Sequence, residues 1–325
     1  MAIDEINNHP DFYFSFTGHV RDPRGVITEY HTVCDDLIRN TGVEHIIGCY
    51  TSASRKQVLP IVERTDRLLW YPARYEGFEC SDNVIYVGAS PNHNVLPLVR
   101  YMLDNISRHV FCVGSNYVWT WETNRVTREL VTAAHGSILA ERLLELGESA
   151  VDHIVDEIVR RKPPVIFNTL VGSSSYDFIR AFHAATTAVG LEIPMLSCSL
   201  CEPELKIVGP ASAGCITSSA YFESIELPEN RAFVQRWKAR YGEASSPSVD
   251  GQSATTRNFK KRLPRRSEGG ENPTPRATVT ILDELVGQFR RIAPANFCGA
   301  LVLGYRQFEN IVINAFAGLT RKADA

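Results

Sequence analysis

The stretch from Ile46 to Glu79 constrains the fold more than any other part of the sequence. It reads IIGCYTSASRK, a helical run, and then LLWYPARYEGFE. One apolar strand runs into Tyr50-Thr51-Ser52, a helix follows, and a second apolar strand runs into Trp70-Tyr71-Pro72. Both strands therefore end in aromatic and hydroxyl side chains on one edge of a sheet. In a parallel α/β sheet, ligands bind at the carboxyl ends of the strands. The stretch reads as half of a small-molecule cleft and brings no obvious catalytic base with it.

The same alternation continues along the chain. Apolar positions predict helices over Val26–Arg39, Ala53–Arg64, Val95–Ile106, Glu122–Ala134, Asp152–Arg161 and Tyr176–Val189, with a short helix over Met1–Asn8. Gly42 stands just past the first long helix, where a left-handed residue would end it. Strands are predicted over Phe12–Phe16, His45–Tyr50, Arg67–Tyr71, Val84–Val87, His109–Val113, Ser137–Leu143, Pro164–Thr169 and Met195–Ser199. Strands alternating with helices imply doubly wound parallel sheets. The length of 325 residues fits two of them, one before and one after residue 107. From Gly251 to Arg276 the chain turns basic and proline-rich without hydrophobic periodicity, which predicts a linker or tail. Val279–Leu319 is apolar enough for helix but has little to pack against.

Hydrophobic content of 44% with 22% charged residues is ordinary for a globular protein. A net charge of −3 gives no general attraction to nucleic acid or membrane. No apolar run is long enough for a transmembrane helix, and the polar start MAIDEINNHPDF is not a signal peptide. The eight cysteines are scattered and imply no disulfide scaffold. Cys198 and Cys201 form a single CxxC with no second pair, which reads as two ordinary cysteines near a strand end and no metal site. The basic run Lys260–Arg266 reads as solvated linker, so no direct nucleic-acid contact is expected.

Ser52 and Ser54 sit where a strand turns into a helix. Either could cap the helix through its hydroxyl, and the helix N-terminus could equally hold a carbonyl or carboxylate oxygen. No GxSxG elbow accompanies them, so a nucleophilic role is not expected. Tyr50, Tyr71, Tyr75, Tyr117 and Trp119 cluster at predicted strand ends, and such aromatic walls suit a small, neutral, polar ligand. Arg55 and Lys56 have Glu76 and Glu79 as potential partners. The two glutamates carry no sign of an acid/base pair. No phosphate, dinucleotide or metal motif is present, and no cofactor is expected.

The runs GCYTSASRKQVLPIVER, LLWYPARYEGFE, IYVGASPNHNVLPLVRYML and FCVGSNYVWTWETN, with NTLVGSSSYDFIRAF and SAYFESIELPENRAFV, together resemble one family. It is the amide- and urea-binding branch of the type I periplasmic-binding-protein fold, and the resemblance covers Ala2 to Ser253. Members include the amide sensor that regulates aliphatic amidase expression and the urea-binding subunit of ABC transporters. The resemblance implies an α/β protein of two doubly wound parallel-sheet lobes closing on a ligand. It implies an N-terminal lobe over residues 1–107, a C-terminal lobe over 108–222, a return segment over 223–253 and a divergent tail over 254–325. Tyr50 and Ser52 match its first binding loop, Tyr71 and Tyr75 its second, and Tyr117 and Trp119 the aromatic pair of the opposite lobe. Ala73 stands where the amide sensor has threonine, Arg74 replaces an apolar residue, and tryptophan at 119 replaces tyrosine.

The resemblance also implies a strand before Met1 and further helices and strands after Ser253. The expectation is therefore a truncated product, with a frame shift as one origin of the divergent end. The functional expectation is a non-catalytic receptor for a short-chain amide or urea. Its partner would be a regulatory protein or an ABC permease, and it could form a homo-oligomer. It would be cytoplasmic as written, or periplasmic if a preceding segment carried a signal. The alternatives are an amidohydrolase-type enzyme and a degenerate remnant with impaired binding.

Overall fold

The computed structural model describes residues 2–8, 10, 16–86, 88–219 and 221–247. These fall in two compact units, one holding residues 2–19 and the other beginning at Val20. The first contains helix α1 (Ala2–Asn7). Asn7 ties it to the following chain, donating from Nδ2 to the Phe16 carbonyl at 2.9 Å and accepting from the Phe16 amide at 2.7 Å. Residues 12–15 of the strand expected over Phe12–Phe16, the basic linker and the helix over Val279–Leu319 lie outside the described residues.

The second unit starts with α2 (Ile27–Thr41), β1 (His45–Ile47), α3 (Ser52–Arg64), β2 (Leu68–Tyr71), β3 (Val84–Tyr86) and α4 (Val95–Asn105). Gly42 ends α2 in the left-handed region at φ 68°, as its position predicts. The strands form a parallel sheet in the order β1-β2-β3, with Ile47 beside Trp70 and Trp70 beside Ile85. Buried Val58, Ile61 and Val62 of α3 pack with Leu69 and Tyr71 of the sheet and with Cys34 of α2.

The chain continues with β4 (His109–Ser115), α5 (Val118–Ala133), β5 (Ser137–Leu144), α6 (Asp152–Arg161), β6 (Ile166–Thr169), α7 (Ser173–Ala188), β7 (Met195–Ser197), α8 (Glu202–Val208), β8 (Cys215–Thr217) and α9 (Pro228–Tyr241). Its five strands are all parallel, in the order β5-β4-β6-β7-β8. Successive side chains of a strand face opposite sides. Phe111, Val113 and Ile166 accordingly enter a core with α6 and α7, while Val110, Cys112 and Phe167 enter a second core with α4 and α5. These parallel sheets and flanking helices are the doubly wound α/β architecture expected from the sequence. Among the described residues no helix is long and apolar enough to cross a membrane.

Several boundaries differ from expectation. Helix α5 begins at Val118 rather than Glu122, so Trp119 is a first-turn helical residue and not part of a strand end. Helix α7 begins at Ser173 rather than Tyr176. Helices α8 and α9 and strand β8 follow the last predicted strand and were not anticipated. The early start of α5 has a tertiary cause. Thr120 Oγ1 donates to the Thr169 carbonyl at 2.9 Å, which pins the first turn of α5 to the end of β6.

Gly114, at the end of β4, permits that approach. A Cβ there would lie 2.4 Å from both Thr120 Cγ2 and Thr169 Oγ1. Gly114→Ala is expected to lower stability by about 1–3 kcal/mol through overpacking. Thermal unfolding followed by circular dichroism checks this, and an unchanged midpoint contradicts the packing described.

Candidate functional site

Strand order locates the site. In the five-stranded sheet β4 sends its next strand to one side and β6 lies on its other side. That reversal opens a crevice at the carboxyl ends of β4 and β6. Tyr117 and Trp119 follow β4, and Leu170, Val171 and Gly172 follow β6. Opposite them stand Tyr50, Thr51 and Ser52 after β1, Tyr71 at the end of β2, and Ala73 and Arg74 after it. Together these residues line one cavity of about 180 Å³, with Ser175, Tyr176, Ser199, Leu200 and Glu204 completing the second wall.

The first wall is built on the start of α3. The cap is Thr51, rather than Ser52 or Ser54. Thr51 Oγ1 accepts from the Ser54 amide and Ser54 Oγ accepts from the Thr51 amide, each at 3.1 Å. This reciprocal cap satisfies two orphan backbone donors. The Ser52 amide donates instead to the Tyr117 hydroxyl at 2.7 Å. A hydrogen bond therefore joins the two walls at the cavity.

Behind this wall lies a buried ion cluster. Arg55 is fully buried and Glu76 is 4% exposed. Arg55 Nη2 donates to Glu76 Oε1 and its Nε to Glu79 Oε1, both at 2.5 Å, and Lys56 Nζ donates to Glu79 Oε2 at 2.7 Å. The Tyr71, Tyr75 and Tyr86 rings lie 4.7, 5.3 and 5.8 Å from the Arg55 guanidinium carbon, a distance at which aromatic faces stabilise a desolvated cation. Burial works against the Arg55 charge, but the hydrogen bonds to Glu76 and Glu79 outweigh it and hold the guanidinium protonated. Burial likewise pushes Glu79 up, and the hydrogen bonds from Arg55 and Lys56 overcome it and keep that carboxyl below its ordinary range. Tyr71 is raised, chiefly by burial and against the pull of Arg55.

Ser52 Oγ donates to Glu76 Oε2 at 2.8 Å, and Tyr71 Oη donates to the Arg74 carbonyl at 3.3 Å. A serine hydroxyl committed to a carboxylate already paired with arginine is not set up as a nucleophile. Arg74 and Glu204 give the lining one charge of each sign. Among the described residues no cluster of His, Cys, Asp or Glu could hold a metal ion.

Of the residues singled out from sequence, Ser52, Tyr71, Ala73, Tyr117 and Trp119 come together around the cavity, and Tyr50 sits at its rim, 58% exposed. Tyr75 does not line it. Its ring stacks on Tyr86 at 4.0 Å and its hydroxyl accepts from the Glu79 amide at 2.7 Å. Ser175, Tyr176, Ser199 and Glu204 were not singled out. The Gly172-Ser173-Ser174-Ser175 run after a strand was visible, but nothing in the sequence placed the start of α8 beside it. A further contact spans the two walls outside the cavity, where the Arg125 guanidinium of α5 lies 4.1 Å from the Phe78 ring.

Comparison with known proteins gives one family and many structures of one fold. The family described as periplasmic binding protein domain matches residues 1–258. A curated relative, Leu/Ile/Val-binding protein homolog 6 of Brucella abortus, is 22% identical over 234 residues, which are 70% of this chain and 60% of that protein. The chain thus spans about three-fifths of the length of the curated relatives it matches. An R. palustris ABC-transporter solute binding protein in complex with benzoate superimposes with a TM-score of 0.64 at 18% identity, covering 77% of this chain and 68% of that one. A second, from Rhodopseudomonas palustris BisB5 in complex with 3,4-dihydroxybenzoic acid, has a TM-score of 0.69 at 17% identity, covering 80% and 75%.

The ion cluster makes two predictions. Arg55→Met leaves the buried Glu76 without its cation and Glu79 with Lys56 alone, and is expected to cost about 3–5 kcal/mol, measured by urea unfolding. Glu79 has a lowered pKa in the folded state, so its contribution is present above the ordinary glutamate range and lost as pH falls through the lower folded value. Stability should therefore decline below pH ~4.3, and Glu79→Gln should flatten that decline. An acid limb of the same steepness in Glu79→Gln contradicts the assignment.

Proposed function

The chain belongs to the periplasmic binding protein domain family, and on that premise we propose that it is a non-catalytic receptor for a short-chain amide or urea. The supporting observation is the polar pair Ser52 and Tyr117, which face each other at a cavity lined on both sides by aromatic and hydroxyl groups. A cavity of about 180 Å³ is below the ~300–1,000 Å³ of pockets for drug-sized ligands and suits a solute of few heavy atoms. One cation and one carboxylate in the lining leave it without net charge, in keeping with a neutral solute. The hydroxyl of Ser52, tied to Glu76, favours a receptor over an amidohydrolase.

In this reading the chain passes from the first lobe to the second before α4, whose Val95, Leu98, Val99 and Met102 pack in the core of the five-stranded sheet, and the ligand contacts both walls. Binding then shifts an open–closed equilibrium by the difference in affinity between the two forms. The closed form is read by a regulatory protein if the receptor is a cytoplasmic sensor, or by an ABC permease if it is a periplasmic transport subunit. A second reading is an amino acid or aromatic acid, whose carboxylate Arg74 of the lining would meet and which the names of its relatives suggest.

Calorimetric titration with acetamide, urea, leucine and benzoate separates these readings. The expected result is heat with acetamide or urea and a roughly tenfold loss in Tyr117→Phe, the equivalent of one hydrogen bond of about 1.4 kcal/mol. Tighter binding of leucine or benzoate supports the second reading. Ammonia release from acetamide overturns both.

A further inference from the structure

Two hydroxyls of the first wall have their protons committed to protein acceptors. Ser52 Oγ donates to Glu76 Oε2, and Tyr71 Oη donates to the Arg74 carbonyl. Glu76 is paired with Arg55 and offers only acceptors, so Ser52 can only be the donor in that contact. A hydroxyl oxygen that donates in one direction keeps its lone pairs for another. On the second wall the polarity is reversed. Tyr117 Oη accepts from the Ser52 amide, and among the described residues no acceptor takes the Tyr117 proton. The cavity thus meets acceptors on one side and a donor on the other, the complement of a primary amide with its N–H groups and its carbonyl.

Resting on the amide reading of this cavity, we propose that Glu76 is a positioning residue that sets this polarity. By holding the Ser52 proton it aims a Ser52 Oγ lone pair at the ligand N–H, and it thereby selects amides over carbonyl ligands that lack one. Glu76 does not itself line the cavity; it acts through Ser52. The buried Arg55 holds Glu76 in place. Replacing Glu76 with glutamine reverses the arrangement. The glutamine oxygen keeps the 2.5 Å contact with Arg55 Nη2 in preference to the 3.4 Å contact of the other position with Nη1, so its NH2 faces Ser52, Ser52 accepts, and the serine proton turns toward the ligand.

The test compares acetamide with acetone. Acetone keeps the carbonyl and the shape but carries a methyl in place of NH2, and both ligands are neutral, so the change of charge in the variant cancels in the ratio of their affinities. Wild-type protein is expected to prefer acetamide by at least about tenfold, the worth of one good hydrogen bond. Glu76→Gln is expected to remove that preference, and Ser52→Ala to remove it to the same extent. The double variant should match Ser52→Ala alone, because Glu76 acts through the serine hydroxyl. A preference retained in folded Glu76→Gln, or a further loss in the double variant, overturns the inference. If Glu76→Gln does not fold, Ser52→Ala still decides, since an unchanged preference there also overturns it. Wild-type protein that binds acetamide with no preference over acetone defeats this inference alone. Wild-type protein that binds neither ligand defeats the proposed function as well.

Discussion

Arg55 carries a positive charge into a position with no solvent exposure, and the geometry of the first wall depends on how that charge is met. Moving an unpaired cation out of water costs many kcal/mol. Glu76 and Glu79 meet it from a loop more than twenty residues away, and three tyrosine rings surround it. Such a cluster adds little to net stability compared with apolar packing, but removing one member is expensive. Its effect is to fix one arrangement. It locks the start of α3 to the loop after β2, and those are the two segments that supply Tyr50, Ser52, Tyr71 and Ala73 to the cavity.

The second wall is placed by different physics. The strand order reverses at β4, which opens a crevice there whatever side chains occupy it. Gly114 lets α5 settle against the ends of β4 and β6, and Thr120 fastens it to the Thr169 carbonyl. That brings Trp119 and Tyr117 over the crevice. The Ser52–Tyr117 hydrogen bond and the Phe78–Arg125 contact join the two walls. One is a hydrogen bond and the other a cation over an aromatic ring.

Much of this was legible in the sequence because it is local. The alternation of apolar strands with helices gives the parallel sheets, Gly42 marks a helix end, and aromatic strand ends point to the cavity edge. What was not legible depends on tertiary pairing. Val118-Trp119-Thr120-Trp121 is rich in β-formers and hides the start of α5, which a contact with residue 169 sets. Thr51 rather than a serine caps α3, because the Thr51–Ser54 exchange of hydrogen bonds satisfies both backbone donors. The partnership of Arg55 with Glu76 was open from sequence, since only the pairing of β1 with β2 brings residues 21 apart together. Tyr75 shows the converse. Its position beside Tyr71 suggested the cavity, yet the need to cover Arg55 draws it against Tyr86 instead.

The central claim is that one small solute occupies the cavity beside the Ser52–Tyr117 hydrogen bond. A crystal structure of the protein grown with acetamide tests it directly. The account predicts density for the amide inside the cavity, its nitrogen within hydrogen-bond reach of Ser52 Oγ and its oxygen within reach of Tyr117 Oη. Acetamide bound elsewhere, or seated with its nitrogen toward Tyr117 and its oxygen toward Ser52 Oγ, would contradict it.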